Sequence, residues 1–190
     1  MEAKGQKYSA SNGGYSLVEL IVAVLISGVV MVAVTGFLTS GLNHYRNVNS
    51  ESLLQMESQM TELFLTELIQ EATDFQEVSN QELPAGVSAA LEVTRGTEVY
   101  MVALIGNELR FGAVTGADIT ARVENLKAQD RSKTFLAQYV TSFCLADGTK
   151  SFSQAKNHTY KGTMVTVDYQ VDQKAYKSSS LIMLRNVNRN

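Results

Sequence analysis

From Leu17 to Leu42 the chain is apolar except for Glu19 and a scatter of small Ser, Thr and Gly residues. A run longer than the roughly 20 residues that cross a bilayer's hydrocarbon core leaves its backbone one economical solution there, a helix that satisfies its own hydrogen bonds. The carboxylate is the anomaly. An ionised acid at the centre of a span costs about 2–3 kcal/mol on insertion scales, so Glu19 needs a reason to be there. Ahead of the run lie Lys4 and Lys7, and after it Arg46 is the only nearby positive charge, a bias that places the N-terminus on the cytoplasmic side and the bulk of the chain outside. A secretory signal peptide fits poorly. The leader is polar and glycine-ended, the apolar run exceeds the roughly 7–15 residues of a signal core, and no small-x-small cleavage site is clear after Val34. A plain membrane anchor accommodates the run but gives Glu19 no role.

Beyond the span neither proline nor glycine interrupts the chain before Pro84 and Gly86. Leu53, Met56, Met60, Phe64, Leu68, Ala72 and Phe75 recur every three or four residues with Glu57, Glu62, Glu67 and Glu71 between them, which predicts one helix from about Ser16 to about Phe75 whose second half packs its Met and Phe stripe against a globular core. Asn80 to Gly86 reads as the connecting loop. The period then changes to two. Leu91 to Thr94, Val99 to Ile105 and Leu109 to Phe111, separated by the turn pairs Gly96-Thr97 and Gly106-Asn107, predict a three-stranded meander. Ala113 to Lys133 carries no clear period and has a polar centre at 129–133 that suits an exposed loop. Phe135 to Leu145, ending at Asp147-Gly148, then Met164 to Val171 and Ser180 to Leu184 supply further strands. The expected fold class is α+β: a long N-terminal helix packed on a C-terminal antiparallel β-sheet, divided as a leader at 1–14, a membrane half at 15–42, an amphipathic half at 43–76 and a globular domain at 77–190.

Of the 190 residues, 16 are basic and 19 acidic, a net −3, which gives no overall pull toward nucleic acid. The average hides a division. Residues 51–130 hold 14 acidic and 4 basic side chains, whereas residues 131–190 hold 3 acidic and 9 basic. Either the two halves neutralise each other within the fold or across neighbouring subunits, or Lys150, Lys156, Lys161, Lys174, Lys177, Arg185 and Arg189 form a basic face for a polyanion. Cys144, the only cysteine, admits no internal disulfide and, set between Phe143 and Leu145, reads as a buried core thiol. His44 and His158 lack Cys, Asp or Glu neighbours at metal-ligand spacing and read as exposed. Asp168 and Asp172 would share one face of a strand long enough to hold both, without the oxygen density of a calcium loop. No glycine-rich phosphate loop, G-x-S-x-G elbow or H-E-x-x-H helix occurs, so the expectation is a chain without catalytic residues, metal or cofactor.

The order polar leader, Gly14, Tyr15, a short apolar step, Glu19 and an apolar helix resembles the class III signal of type IV prepilins and of the pseudopilins of type II secretion and DNA-uptake machines. The resemblance implies cleavage after Gly14 by a membrane-embedded prepilin peptidase and N-methylation of Tyr15 as the new first residue. It also implies assembly with other pilin or pseudopilin subunits by a platform protein and motor, the chain resting in membrane lipid beforehand and in a cell-surface filament afterwards. Electrostatics gives Glu19 a matching role. The free amine of Tyr15 and the Glu19 carboxylate of a neighbouring helix lie at one depth, and each can neutralise the other only on association. A glutamate that snorkels to the interface is the plainer alternative. Major pilins of the family often carry a proline in the membrane helix and close a C-terminal loop with two cysteines. This span has Gly28 and Gly36 as helix-weakening points in place of a proline, and Cys144 has no partner, which points to a minor pilin or minor pseudopilin.

Overall fold

The computed structural model describes residue 14 and residues 16–185. Helix α1 spans Leu17–Gln70, 54 residues. The chain divides into two compact units, Met1–Arg46 and Asn47–Asn190. In the first, every described side chain is exposed, and the apolar run lies in a helix long and apolar enough to cross a membrane. Within the helix the hydroxyls of Ser27, Thr35 and Thr39 donate to the carbonyls of Ala23, Met31 and Thr35 at 2.7, 2.8 and 2.9 Å, so these polar groups need nothing from lipid.

In the second unit the helix ends five residues before the sequence pattern suggests. Thr73 donates both its N–H and its hydroxyl to Thr94 O, at 2.8 and 3.0 Å, and this capture draws the chain into a strand. Phe75 therefore lies in β1 (Asp74–Glu77), paired with Val93, and not on the helix. The expected meander is present as β2 (Val87–Arg95), β3 (Glu98–Ile105) and β4 (Glu108–Ala113), with β1 added at one edge and β5 (Phe135–Gln138) at the other. Gly96 and Gly106 hold left-handed φ values of 65° and 63°, as two-residue hairpin turns require.

Where one sheet was expected, two antiparallel sheets form. β6 (Val140–Ala146), β7 (Gly162–Val171) and β8 (Lys174–Met183) make a separate three-stranded sheet. The break falls at Tyr139, whose φ of 63° turns the chain between β5 and β6. The two sheets stay stitched. Val140 N–H donates to Asn107 O at 3.0 Å, Gln170 N–H to Tyr139 O at 2.8 Å and Glu77 N–H to Lys150 O at 2.7 Å.

The main core joins Leu54, Leu65, Leu68 and Ile69 of α1 to Leu91, Val93, Val102 and Leu104 of the larger sheet and to Phe143, Leu145, Val165, Val167 and Ile182 of the smaller one. The larger sheet is covered on its other face as well. Ala90, Met101 and Ala103 pack there against Val123 and Leu126 of α2 (Ile119–Ala128), a helix within the segment 113–133 whose sequence shows no clear period. A strand buried on both faces reads as an unbroken apolar run, which is why Met101 to Leu104 does not alternate. Asp118 caps α2, accepting the Ala121 N–H at 2.7 Å, and the short α3 (Arg131–Thr134) follows. Arg110 on β4 closes the far end of α2. Its guanidinium donates to Gln129 O at 2.8 Å, to Leu126 O at 3.3 Å and to Thr134 Oγ1 at 2.6 Å. The last helix, α4 (Phe152–Asn157), lies between β6 and β7 in the chain.

Three smaller expectations are corrected. Cys144 is only half-buried, because Phe143 and Leu145 take the core face of β6 and a strand turns each successive side chain to the opposite face. Asp172 lies beyond the end of β7 in a turn with φ 51°, so it does not extend the face of Asp168. His158 is half-buried, its ring 3.9 Å from that of Tyr160.

Candidate functional site

The junction between leader and helix is built from short-range chemistry. Gly14 and Ser16 are exposed and precede the helix, while Tyr15, the proposed methylation position, lies outside the described residues. The Ser16 carbonyl accepts the Leu20 N–H at 3.1 Å and opens α1, which puts Glu19 in the first turn. An acid in that place interacts favourably with the unpaired N–H groups of the helix start, worth about 0.3–1 kcal/mol. Ser16-x-x-Glu19 also has capping-box spacing. Yet neither side chain makes a hydrogen bond among the described residues, and the carboxylate is exposed beside Leu20, Ala23, Val24 and Ser27 in an open groove. A capping box would have consumed the carboxylate locally, and the described residues do not form one.

Further along the helix, a Cβ added at Gly28, Gly36 or Gly41 would meet nothing within 4 Å. These glycines leave the apolar helix low-relief positions where a second helix can approach closely.

The second half of α1 departs from the expected stripe. Leu68 is buried as expected, as is Ala72 just beyond the helix end, but Met56 and Met60 point away from the sheets, and the core face runs instead through Leu54, Ser58, Thr61, Leu65, Leu68 and Ile69. Ser58 and Thr61 can be buried because they are small and because Thr61 donates its hydroxyl to Glu57 O at 2.7 Å. The outward Met and Leu positions were therefore missed as candidate interaction residues. The signal that could have found them was the second line of three- and four-residue spacings, Leu54 to Ile69, passing through those hydroxyls.

Among the described residues, the basic C-terminal side chains do not converge. Lys150 is an ion-pair partner of Glu77 at 2.9 Å, a hydrogen bond that also raises its pKa. Arg131 and Glu108 form a two-point pair that holds the Glu108 carboxyl below its usual range. Both pairs join the acidic and basic halves of the sequence. Lys161, one residue before β7, lies at the end of the β7–β8 ladder where Gly162 faces Met183 and Arg185 follows; Lys174 lies at the other end, facing Val171, with Lys177 three residues along β8. At about 3.3 Å per residue these ends are about 30 Å apart. Lys156 lies in α4, and Arg189 lies outside the described residues. Among the described residues no three His, Cys, Asp or Glu side chains gather as a metal site would require.

Residues 9–35 match the family model described as the prokaryotic N-terminal methylation motif, the class III signal, a segment that contains Gly14, Tyr15, Glu19 and the first part of α1. No curated protein and no solved structure matches the chain.

Proposed function

We propose, taking the methylation motif at residues 9–35 as premise, that this chain is a structural subunit of a type IV pilus-like filament. The observation that carries the reading is the motif running into a helix whose apolar half is exposed throughout. Such a surface needs lipid first and other helices afterwards. In this reading prepilin peptidase cleaves after Gly14, Tyr15 becomes the N-methylated first residue, and a platform protein and motor move the subunit from the cytoplasmic membrane into the filament. Residues 15–42 form the filament core, and the domains at 77–190 lie toward the outside, carried by 43–76. The prolineless span and the single cysteine favour a minor pilin or pseudopilin over a major one.

Glu19 is the register device. Left alone in hydrocarbon its charge is unfavourable; beside the Tyr15 amine of a neighbouring subunit the two charges compensate. Lys150 is paired with Glu77, and Lys161 and Lys174 lie at opposite ladder ends, so the polyanion-binding alternative has no gathered site among the described residues to support it.

Mass spectrometry of the mature N-terminus tests the processing step: N-methyltyrosine from Tyr15 is expected, and any other first residue overturns it. Glu19→Ala tests the pairing. The variant should be cleaved and held in membranes as the wild type is, yet enter polymer at least ten-fold less; equal incorporation would remove the register role.

A further inference from the structure

A sheet ends in rows of N–H and C=O groups that need partners, and natural sheets blunt those rows with short or bulged edge strands, proline or charge. Among the described residues, three of the four sheet edges are blunted. β1 and β5 have 4 residues each. Glu77 N–H of β1 donates to Lys150 O at 2.7 Å, Gln138 N–H of β5 to the Glu57 carboxylate at 3.4 Å, and Leu145 N–H of β6 to the Glu77 carboxylate at 2.8 Å. β8 is the exception. Its 10 residues run beside β7 without a bulge, proline or glycine, and no described strand lies on its other side.

Which groups face out follows from the ladder. Just past β8, Leu184 N–H donates to Lys161 O at 3.1 Å, so the even-numbered residues spend their backbone groups on β7. Alternation leaves the N–H and C=O of Ala175, Lys177, Ser179, Leu181 and Met183 turned to the open edge. Their side chains lie on the sheet face away from α1, because Ile182 enters the core and the Ser178 hydroxyl donates to the Glu62 carboxylate at 3.2 Å. Leu181 and Met183 are 46% and 48% exposed. Lys174 and Lys177, the only charged residues of β8, stand at its start, and neither has an ion pair among the described residues. Charge therefore guards the beginning of the edge and leaves Ser178 to Met183 open.

We infer that the open edge of β8 receives an extended segment of a different protein as a fourth strand of the small sheet, apolar where it passes Leu181 and Met183 and acidic where it passes Lys177 and Lys174. Main-chain hydrogen bonds hold such an added strand, and its alternate side chains set the choice of partner. A second copy of β8 is a poor occupant, since two such strands bring four lysines together without an acid. Antiparallel pairing, which every strand pair here uses, puts the acids toward the C-terminal end of the incoming segment. The contact lies on the globular domain and is independent of assembly through α1.

The probe is a fluorescent peptide capped at both ends, Val-Thr-Val-Thr-Thr-Thr-Glu-Thr-Thr-Glu, whose anisotropy is followed against the full chain in detergent. Saturable binding is expected, at least ten-fold weaker when both glutamates are replaced by lysine. Ser179→Pro removes an outward N–H and no bond to β7, a place where an edge strand tolerates proline, and should keep the circular dichroism of the wild type while binding at least ten-fold more weakly. The double variant Lys174→Glu and Lys177→Glu, at exposed positions, should reverse the preference in favour of the lysine peptide, and it decides the matter alone if Ser179→Pro does not fold. Absence of saturable binding, equal binding by a folded Ser179→Pro, or an unchanged preference in the double variant overturns the inference. A dimer in sedimentation that Ser179→Pro dissociates would give the edge to a second copy and overturn it as well.

Discussion

Tyr169 offers a prediction whose sign is unusual: removing its hydroxyl should stabilise the protein. The residue is 1% exposed, on β7 against α1, and the hydroxyl has no hydrogen-bond partner among the described residues. The neighbouring Thr61 hydroxyl donates its proton to Glu57 O, so toward Tyr169 it offers only an acceptor, and it lies outside hydrogen-bond geometry there. Burying an unpartnered hydroxyl costs about 1–3 kcal/mol in protein mutational data, and Tyr169→Phe recovers that cost while losing one oxygen's worth of packing, for a net gain of about 1 kcal/mol at pH 8. The pH dependence supplies a second readout. Burial, opposed in part by the nearby Thr61 hydroxyl and helped by the charges of Glu57 and Glu62, pushes the Tyr169 pKa up to about 12 from 10.0. Below pH 10 the group is neutral in both folded and unfolded chains and contributes no pH dependence. Between pH 10 and 12 only the unfolded chain ionises and is favoured, so about 2 units at about 1.4 kcal/mol each, or about 3 kcal/mol, is lost across that window. The comparison is urea unfolding of wild type and Tyr169→Phe in detergent, followed by circular dichroism at several pH values, with the wild type falling more steeply above pH 10. Destabilisation by about 1 kcal/mol or more at pH 8 would refute the reasoning. That result would mean the small cleft alongside, lined by Ser58, Glu62 and Ser178, holds a water that satisfies the hydroxyl.

Two further substitutions probe what locks the domain. Arg110, 8% exposed, is held by carbonyls and a hydroxyl at the end of α2, with no carboxylate among these contacts, so Arg110→Met should cost about 2–4 kcal/mol in thermal unfolding and Arg110→Lys should recover less than half, a point charge being unable to reproduce the fork; a neutral Arg110→Met would show that those carbonyls need no donor. At Gly162, paired with Met183, an added Cβ would fall on the backbone carbonyl of Ile182, so Gly162→Ala should cost about 2–3 kcal/mol by chemical denaturation while Gly28→Ala leaves the same transition unmoved.

Much of the junction was legible because its signals are local. Gly14 and Glu19 are separated by five positions, and the helix that starts between them needs only an apolar composition and the Ser16 carbonyl. The hairpins at Gly96 and Gly106 were legible for the same reason, since a left-handed φ selects glycine wherever the rest of the chain goes. Helix α2 was harder, although Asp118 followed by a helix-forming segment was a usable cap signal. What hid it was a weak apolar face: Val123 and Leu126 are its only fully buried side chains.

From the sequence alone came the apolar span, its out-of-place carboxylate, the glycine-aromatic-glutamate register and the alternation of helix and strands, each encoded within a few residues of itself. Only the tertiary structure decided which face of α1 meets the sheets. Two lines of side chains compete along that helix at nearly equal spacing, and periodicity cannot choose between them; the choice belongs to the surface opposite, where Val165, Val167 and Ile182 accept the line through Leu54, Leu65 and Ile69. By taking that line inward, the fold turns Met56, Met60 and Leu63 outward, and so leaves on the helix an apolar stripe that its own domain does not cover.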